Sequence, residues 1–317
     1  MNRWFQKGNA RRWYRIDMPV RVFILPRSSI RDREIYATGV DYFPPSIKHS
    51  ISDKTYKTKL WISKIQEQKE LVTVLFEEVM EFIEFFGYCT SLISEGRSPK
   101  SETEYWLKLS HHQKGFQTIE ALKVSSPRTY QYFKLIEQKY LTFLNSLVSS
   151  VEKSTPEHFE VDASLPYGFK IDEIMAKFED PKFAKIPLIQ ALHHLSNLMD
   201  VYMGVYRKII DDNYLKQFPE LWKTQTANVS ASGLGIMMEK RFKFQDKVDV
   251  YFYFSDANKV LHFEASVVDI RTIEDTFKER IALNFEFPDG KSQNYLQSEI
   301  EKFEIKECME LDLTPRD

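Results

Sequence analysis

The stretch Val248-Asp249-Val250-Tyr251-Phe252-Tyr253-Phe254 puts an aliphatic or phenyl side chain at every second position, with Asp249, Tyr251 and Tyr253 between. A period of two places Val248, Val250, Phe252 and Phe254 on one face of an extended chain, so the stretch predicts a strand with one buried side. The pattern recurs twice. Leu261, Phe263, Ala265 and Val267 alternate with His262, Glu264 and Ser266; Ile281, Leu283, Phe285 and Phe287 alternate with Ala282, Asn284 and Glu286. Three antiparallel strands at short intervals predict a small barrel. Leu296, Ile300 and Phe303, at helical spacing within 292–309, predict a closing helix.

Upstream of Leu221 the period changes to that of helices. The exception is the start, where Met18 to Leu25 (Met-Pro-Val-Arg-Val-Phe-Ile-Leu) is an apolar run ended by Pro26 and predicts one more strand. Residues 27–56 carry Ser28-Ser29, Gly39 and Pro44-Pro45 and predict a connector with a short strand near 35–40. From about Lys57 to Ser94 a single helix is expected, with Ile65, Val72, Val79 and Phe86 every seven residues beside Leu75 and Phe82. Gly96 to Pro99 breaks it, and Ser101 with Glu104 predicts a capping box for the next. Pro127 opens a third helix carrying Phe133, Ile136, Tyr140, Leu144, Leu147 and Val151. After Pro187, Leu188, Leu192, Leu195, Met199, Tyr202, Tyr206 and Ile209 form a regular seam. That seam calls for a helical partner, within the chain or across a subunit interface.

Composition bounds the function. The 317 residues are 43% apolar and 28% charged, enough for substantial cores, and 44 Lys and Arg against 46 Asp and Glu leave a formal charge of −2. No global basic field favours long nucleic acid or an anionic membrane surface, so any anion site must be local. Cys89 and Cys308 lie far apart without CxxC spacing, which gives neither a disulfide framework nor a zinc knuckle. The first residues, Met1-Asn2-Arg3-Trp4-Phe5, lead into charge and not into an apolar signal region, and no apolar run is long enough to span a bilayer. A soluble cytoplasmic protein without membrane insertion is the expectation.

Two short segments at opposite ends of the chain could carry chemistry. Arg11-Arg12-Trp13-Tyr14-Arg15 sets Arg11 and Arg15 at i and i+4 with Arg12 beside them, a concentration of permanently charged forks suited to phosphate oxygens and to the O6/N7 edge of guanine. A basic solvated tail is the plainer alternative. Asn228-Val229-Ser230-Ala231-Ser232-Gly233-Leu234-Gly235 is a polar, glycine-rich turn expected after a strand ending near Ala227. Its short side chains donate and accept hydrogen bonds, and glycine admits close approach to the backbone. An ordinary hairpin turn would also account for it. It is not a dinucleotide fingerprint, because Met238 stands where the third glycine belongs.

Taken together, the two segments resemble the PilZ domain, a bacterial receptor module for cyclic di-GMP. The family's signature is RxxxR just before the first barrel strand and D/N-x-S-x-x-G in the turn between the next two strands. Arg11, Arg15, Asn228, Ser230 and Gly233 fill every defined position. The resemblance covers roughly 9–25 and 220–305, and it implies an α+β protein. An antiparallel barrel with a C-terminal helix would be built from both chain ends (1–30 and 220–317), with 31–219 a connector and large all-α insertion. It further implies that Arg11, Arg12 and Arg15 bind the phosphates and guanines of cyclic di-GMP, that Asn228 and Ser230 hydrogen-bond to it, and that Gly233 leaves room. The N-terminal arm would order over the barrel when ligand binds. Some PilZ-like proteins resemble this chain in carrying long heptad-bearing helices that form oligomers, which implies a homo-oligomer or protein partner through 57–218.

Other constellations rank below this one. The pairs His111-His112 and His193-His194 diverge by about 100° on a helix and cannot chelate one metal as an i, i+4 pair can. Glu77, Glu81 and Glu84 share a face without an accompanying ExxH, which reads as a solvated surface and not a di-iron site. No nucleophile elbow, P-loop or zincin pattern occurs, so no enzyme, metal or resident cofactor is expected. The main expectation is a cyclic di-GMP receptor that signals through its helices. The alternative is a non-binding structural adaptor whose helices are the working surface, and a short nucleic-acid binder comes third.

Overall fold

The computed structural model describes residues 14–27, 40–155, 159–161, 165–239, 242–273, 278–286 and 288–313. Two compact units emerge, one made of Met1–Ser29 with Leu215–Asp317 and the other of Ile30–Tyr214.

The first unit is a closed antiparallel barrel of six strands: β1 (Ile16–Pro26), β2 (Thr224–Ser230), β3 (Gly233–Met238), β4 (Lys247–Phe254), β5 (Lys259–Thr272) and β6 (Glu279–Phe285). Round the barrel they run β1-β2-β3-β6-β5-β4. The period-two residues face inward as their spacing demands, with Val248, Val250, Phe263, Val267, Ile281 and Leu283 all buried. Phe252 sits at the centre, edge-on to Phe263 at 5.9 Å and to Phe285 at 6.2 Å. Outside the barrel, Trp222 stacks on Phe23 at 5.4 Å and donates its indole N–H to the Leu215 carbonyl at 2.6 Å. The C-terminal helix α8 (Gly290–Leu313) packs Leu296 and Ile300 onto the barrel core.

The second unit is helical: α1 (Pro45–Ser63), α2 (Lys69–Ser94), α3 (Tyr105–His112), α4 (Leu122–Ser125), α5 (Pro127–Lys153), α6 (Lys170–Phe178) and α7 (Pro187–Gln217). The seam of α7 is spent inside the chain. Leu192, Leu195, Met199, Tyr206 and Ile209 are buried in the same core as Val72, Val79 and Phe86 of α2 and Phe133, Tyr140 and Leu144 of α5. Phe86 meets Tyr206 edge-on at 5.6 Å. Tyr202 fills the space over Gly87, where any Cβ would collide with its ring.

Two local expectations need correction. The helix expected from Lys57 to Ser94 is two, because Gln68 adopts a left-handed backbone (φ 50) that α-helical residues cannot continue through. The first of them starts earlier, at Pro45, whose ring suits a first helical turn. The seven-residue row survives the break because Ile65 is buried in the connecting loop. No capping box forms at Ser101: that residue ends a short 3₁₀ turn, and Glu104 instead pairs with Lys108 at 2.8 Å. The short strand near 35–40 falls almost entirely outside the described residues.

Several buried polar groups in the helical unit are matched, whereas Ser98 Oγ, the Tyr105 hydroxyl and Ser196 Oγ have no partner among the described residues. Glu137 accepts from the Phe116 amide at 2.7 Å, and Glu78 from the Gln117 and Thr118 amides at 2.6 and 3.0 Å. Lys139, nearly inaccessible, lies between Asp172 and Asp200. His112 stacks on Phe85 at 4.4 Å, and desolvation, with smaller repulsions from His111 and Lys108, pushes its pKa down to about 4.

Two stability outcomes follow from these contacts. Phe252→Ala should cost the barrel about 3–5 kcal/mol in urea unfolding, through lost burial and an unfilled cavity. His112 makes stability depend on acid. An unfolded imidazole titrates near pH 6.5, so on acidification the unfolded state takes up the proton first. The His112 contribution is full above pH 6.5 and is lost as the pH falls from there toward 4. Unfolding midpoints measured from pH 7 to pH 4 should fall less steeply in His112→Leu than in the wild type.

Candidate ligand site on the barrel face

Strand pairing brings the two sequence segments together. Ile16 lies opposite Val229 and Asp17 opposite Asn228 across β1 and β2, while Ser230 lies opposite Gly233 at the tip of β2 and β3. Arg15, just before β1, is half-buried. Its Nη2 reaches to 3.2 Å from the point a Cβ would occupy on Gly233. Arg11 and Arg12 lie outside the described residues.

The turn is tighter than the sequence suggests. β2 runs on to Ser230 and β3 begins at Gly233, so only Ala231 and Ser232 form the loop, and Asn228 and Gly235 are strand residues. The hairpin is held from three directions. Ser230 Oγ donates to the Gly233 carbonyl at 3.3 Å and accepts from the Ser232 amide at 3.4 Å. The Phe285 amide of β6 donates to the Ser232 carbonyl at 2.9 Å, and Gln293 of α8 donates to the Ala231 carbonyl at 3.1 Å. Ser230 is fully buried, so in this geometry its hydroxyl fastens the turn and does not face outward. Gly233 earns its place sterically: a Cβ there would run into the Leu283 carbonyl oxygen of β6, well inside contact distance.

Outward from this floor the face is polar. The Asn228 side-chain amide donates to Asp17 Oδ1 at 2.8 Å. On β6, Arg280 extends a guanidinium nitrogen to 3.5 Å from the Cβ position of Gly235. The assembly is thus a strip over β1, β2, β3 and β6 with arginines and short hydrogen-bonding side chains above backbone that carries no side chains at two positions. Such a surface suits a flat, anionic, hydrogen-bonding ligand.

Residues 212–302 match the family model described as PilZ domain. The chain carries a PilZ domain. No curated protein and no solved structure matches the chain. The matched segment takes in β2 to β6 and the first half of α8 but leaves out β1 and Arg15, which the chain supplies to the PilZ barrel from its other end. Cyclic di-GMP binding is the property implied by the PilZ family in general.

Sequence reasoning reached Arg15, Asn228, Ser230 and Gly233, with Gly235 in the same glycine-rich segment, but passed over Asp17 and Arg280. Asp17 was within reach: it is two residues beyond Arg15, on the same side of a strand. Arg280 was not, because only the register of β3 with β6, Met237 opposite Arg280, brings it to this face. A cleft of about 540 Å³ in the helical unit, lined by Tyr42, Phe43, Glu84, Gly87, Tyr88 and Tyr202, contains no residue of either motif. No described helix is long and apolar enough to cross a membrane.

The two glycines of β3 should respond differently to a methyl group. Gly233→Ala forces β3 away from β6 and should cost about 1–3 kcal/mol, as overpacking does. Gly235→Ala meets its neighbours at 3.5 Å, an ordinary contact, and should melt close to the wild type. Thermal melts of the two variants side by side provide the measurement.

Proposed function

We propose that the protein is a receptor for cyclic di-GMP, without catalytic activity, whose ligand is held on the outer face of the barrel. The observation that carries this reading is the meeting of Arg15 with Gly233 and of Asp17 with Asn228, residues from opposite ends of the sequence. Arg15, together with Arg11 and Arg12, presents forks to the phosphates and to guanine edges and planes to stack on the bases. Asn228 offers a carbonyl and an amide from the strand surface. Ser230 acts by keeping the hairpin shut, so that Gly233 stays level with its neighbours.

The helical unit would pass the signal to a protein partner or a second copy of the chain. Its α7 seam is buried, so such a contact would use other faces, for example α3, where Trp106 is 52% and Leu107 77% exposed. A cytoplasmic location fits a receptor for an intracellular messenger.

Titration calorimetry with cyclic di-GMP tests the reading. The wild type should bind at micromolar ligand or below, and Arg15→Ala and Asn228→Ala should each weaken binding tenfold or more, the loss of one charged or well-placed hydrogen bond being worth about 1.5–3 kcal/mol. A folded wild type that takes up no ligand at these concentrations would sink the receptor reading and leave the non-binding adaptor.

A further inference from the structure

Gly233 and Gly235 are two apart on β3, so their missing side chains would both point to the outer face, about 7 Å from one another. Each vacancy is covered by a different arginine. Arg15 lies over the first, with Nη2 at 3.2 Å from the Cβ position; Arg280 lies over the second, with Nη2 at 3.5 Å. The Asn228 Cβ is also 3.5 Å from that second position, so the Arg280 guanidinium and Asn228 flank the same glycine. Two guanidinium groups therefore stand at the two ends of a short floor of bare backbone. The sequence signature includes the first of these arginines and the first glycine, but neither Gly235 nor Arg280.

Arg280 is electrostatically unsettled. It is half-buried, and among the described residues its side chain has no hydrogen bond or ion pair. Its cross-strand neighbour is Arg271, a like charge directly opposite, an arrangement that costs stability. Arg271 is itself bonded to Asp269 at 2.9 Å, and Asp17 is engaged by Asn228. A cation held next to another cation, over a glycine and beside a free-standing amide carbonyl, is relieved by an anion.

We infer that Arg280 is a further ligand-binding arginine, set opposite Arg15 so that a ligand with two separated phosphates is gripped at both ends, with the Arg280 guanidinium lying against Gly235. The inference rests on the receptor reading for its ligand, a cyclic dinucleotide. It gives a reason for preferring a doubly anionic ring, because a nucleotide with one phosphate cannot engage both ends of the floor.

The test compares wild type, Arg15→Ala, Arg280→Ala, Arg280→Lys and Arg271→Ala, each checked for an unchanged melt, by calorimetry with cyclic di-GMP. Alongside it, the arginine Nε–Hε signals of ¹⁵N-labelled full-length wild type are followed during titration with inorganic pyrophosphate. The Arg280 signal is assigned by its loss in Arg280→Lys. The expected result is a loss of affinity of tenfold or more in Arg280→Ala, an intermediate loss in Arg280→Lys, less than twofold in Arg271→Ala, and a saturable shift of the Arg280 signal. If the wild type binds and Arg15→Ala fails but Arg280→Ala stays within twofold, the inference is overturned and the receptor reading stands. If the wild type does not bind cyclic di-GMP, the receptor reading fails and pyrophosphate decides on Arg280: a saturable shift upholds its place in an anion site, and an unmoved signal overturns it.

Discussion

The pairing of β1 with two partners is the constraint on which the rest depends. β1 ladders with β2 from Ile16 to Arg21 and with β4 from Arg21 to Pro26, and without it neither strand has a neighbour on that side. Its register is pinned from within, because a slip of one residue would turn Met18, Val20, Val22 and Ile24 out of the core and Asp17 and Arg21 into it. The same register decides the position of Arg15. One residue before Ile16, which faces Val229, the chain passes the hairpin tip, and the guanidinium comes down on Gly233. Core packing and site geometry are thus two readings of one ladder.

Much of this was legible in the residues. The alternation in β4, β5 and β6 is uninterrupted, since one side of each strand is core and the other solvent. Strong breakers framed the two longest helices that were read correctly, Pro127 for α5 and Pro187 for α7. Where reading failed, the cause was local geometry that many sequences can adopt. Gln68 has no special chemistry to announce a left-handed kink, and α6, with Ile171, Met175 and Phe178 buried, is too short for a periodic pattern to stand out. In the site, the motif residues were visible as motifs, but that Ser230 faces into the turn depends on where β2 ends. Arg280 depends on cross-strand register, which no linear pattern encodes.

The helical unit treats polarity differently from the barrel. Its charged groups at low exposure are tied to specific partners: Lys139 between two aspartates, Glu137 on a backbone amide, Glu78 at the start of a 3₁₀ turn. Desolvation raises the pKa of Asp200 even with Lys139 beside it, a sign that such a cluster is expensive to bury. Its value lies in selecting one helix arrangement, since a shifted packing would strand a charge. Among the described residues the barrel core is apolar, and the charged groups lie outside it.

The nested order of the strands has a consequence for biosynthesis. Asp17 and Asn228, hydrogen-bonded in the finished protein, are separated by 211 positions of chain. At ribosomal speeds of 5–20 residues per second, β1 waits roughly 10–40 s for its first partner to be made. During that wait an apolar strand with both edges open is exposed to every other nascent chain, while the residues that follow it can already fold on local contacts. High contact order of this kind falls on β1, and dependence on chaperones should be concentrated there.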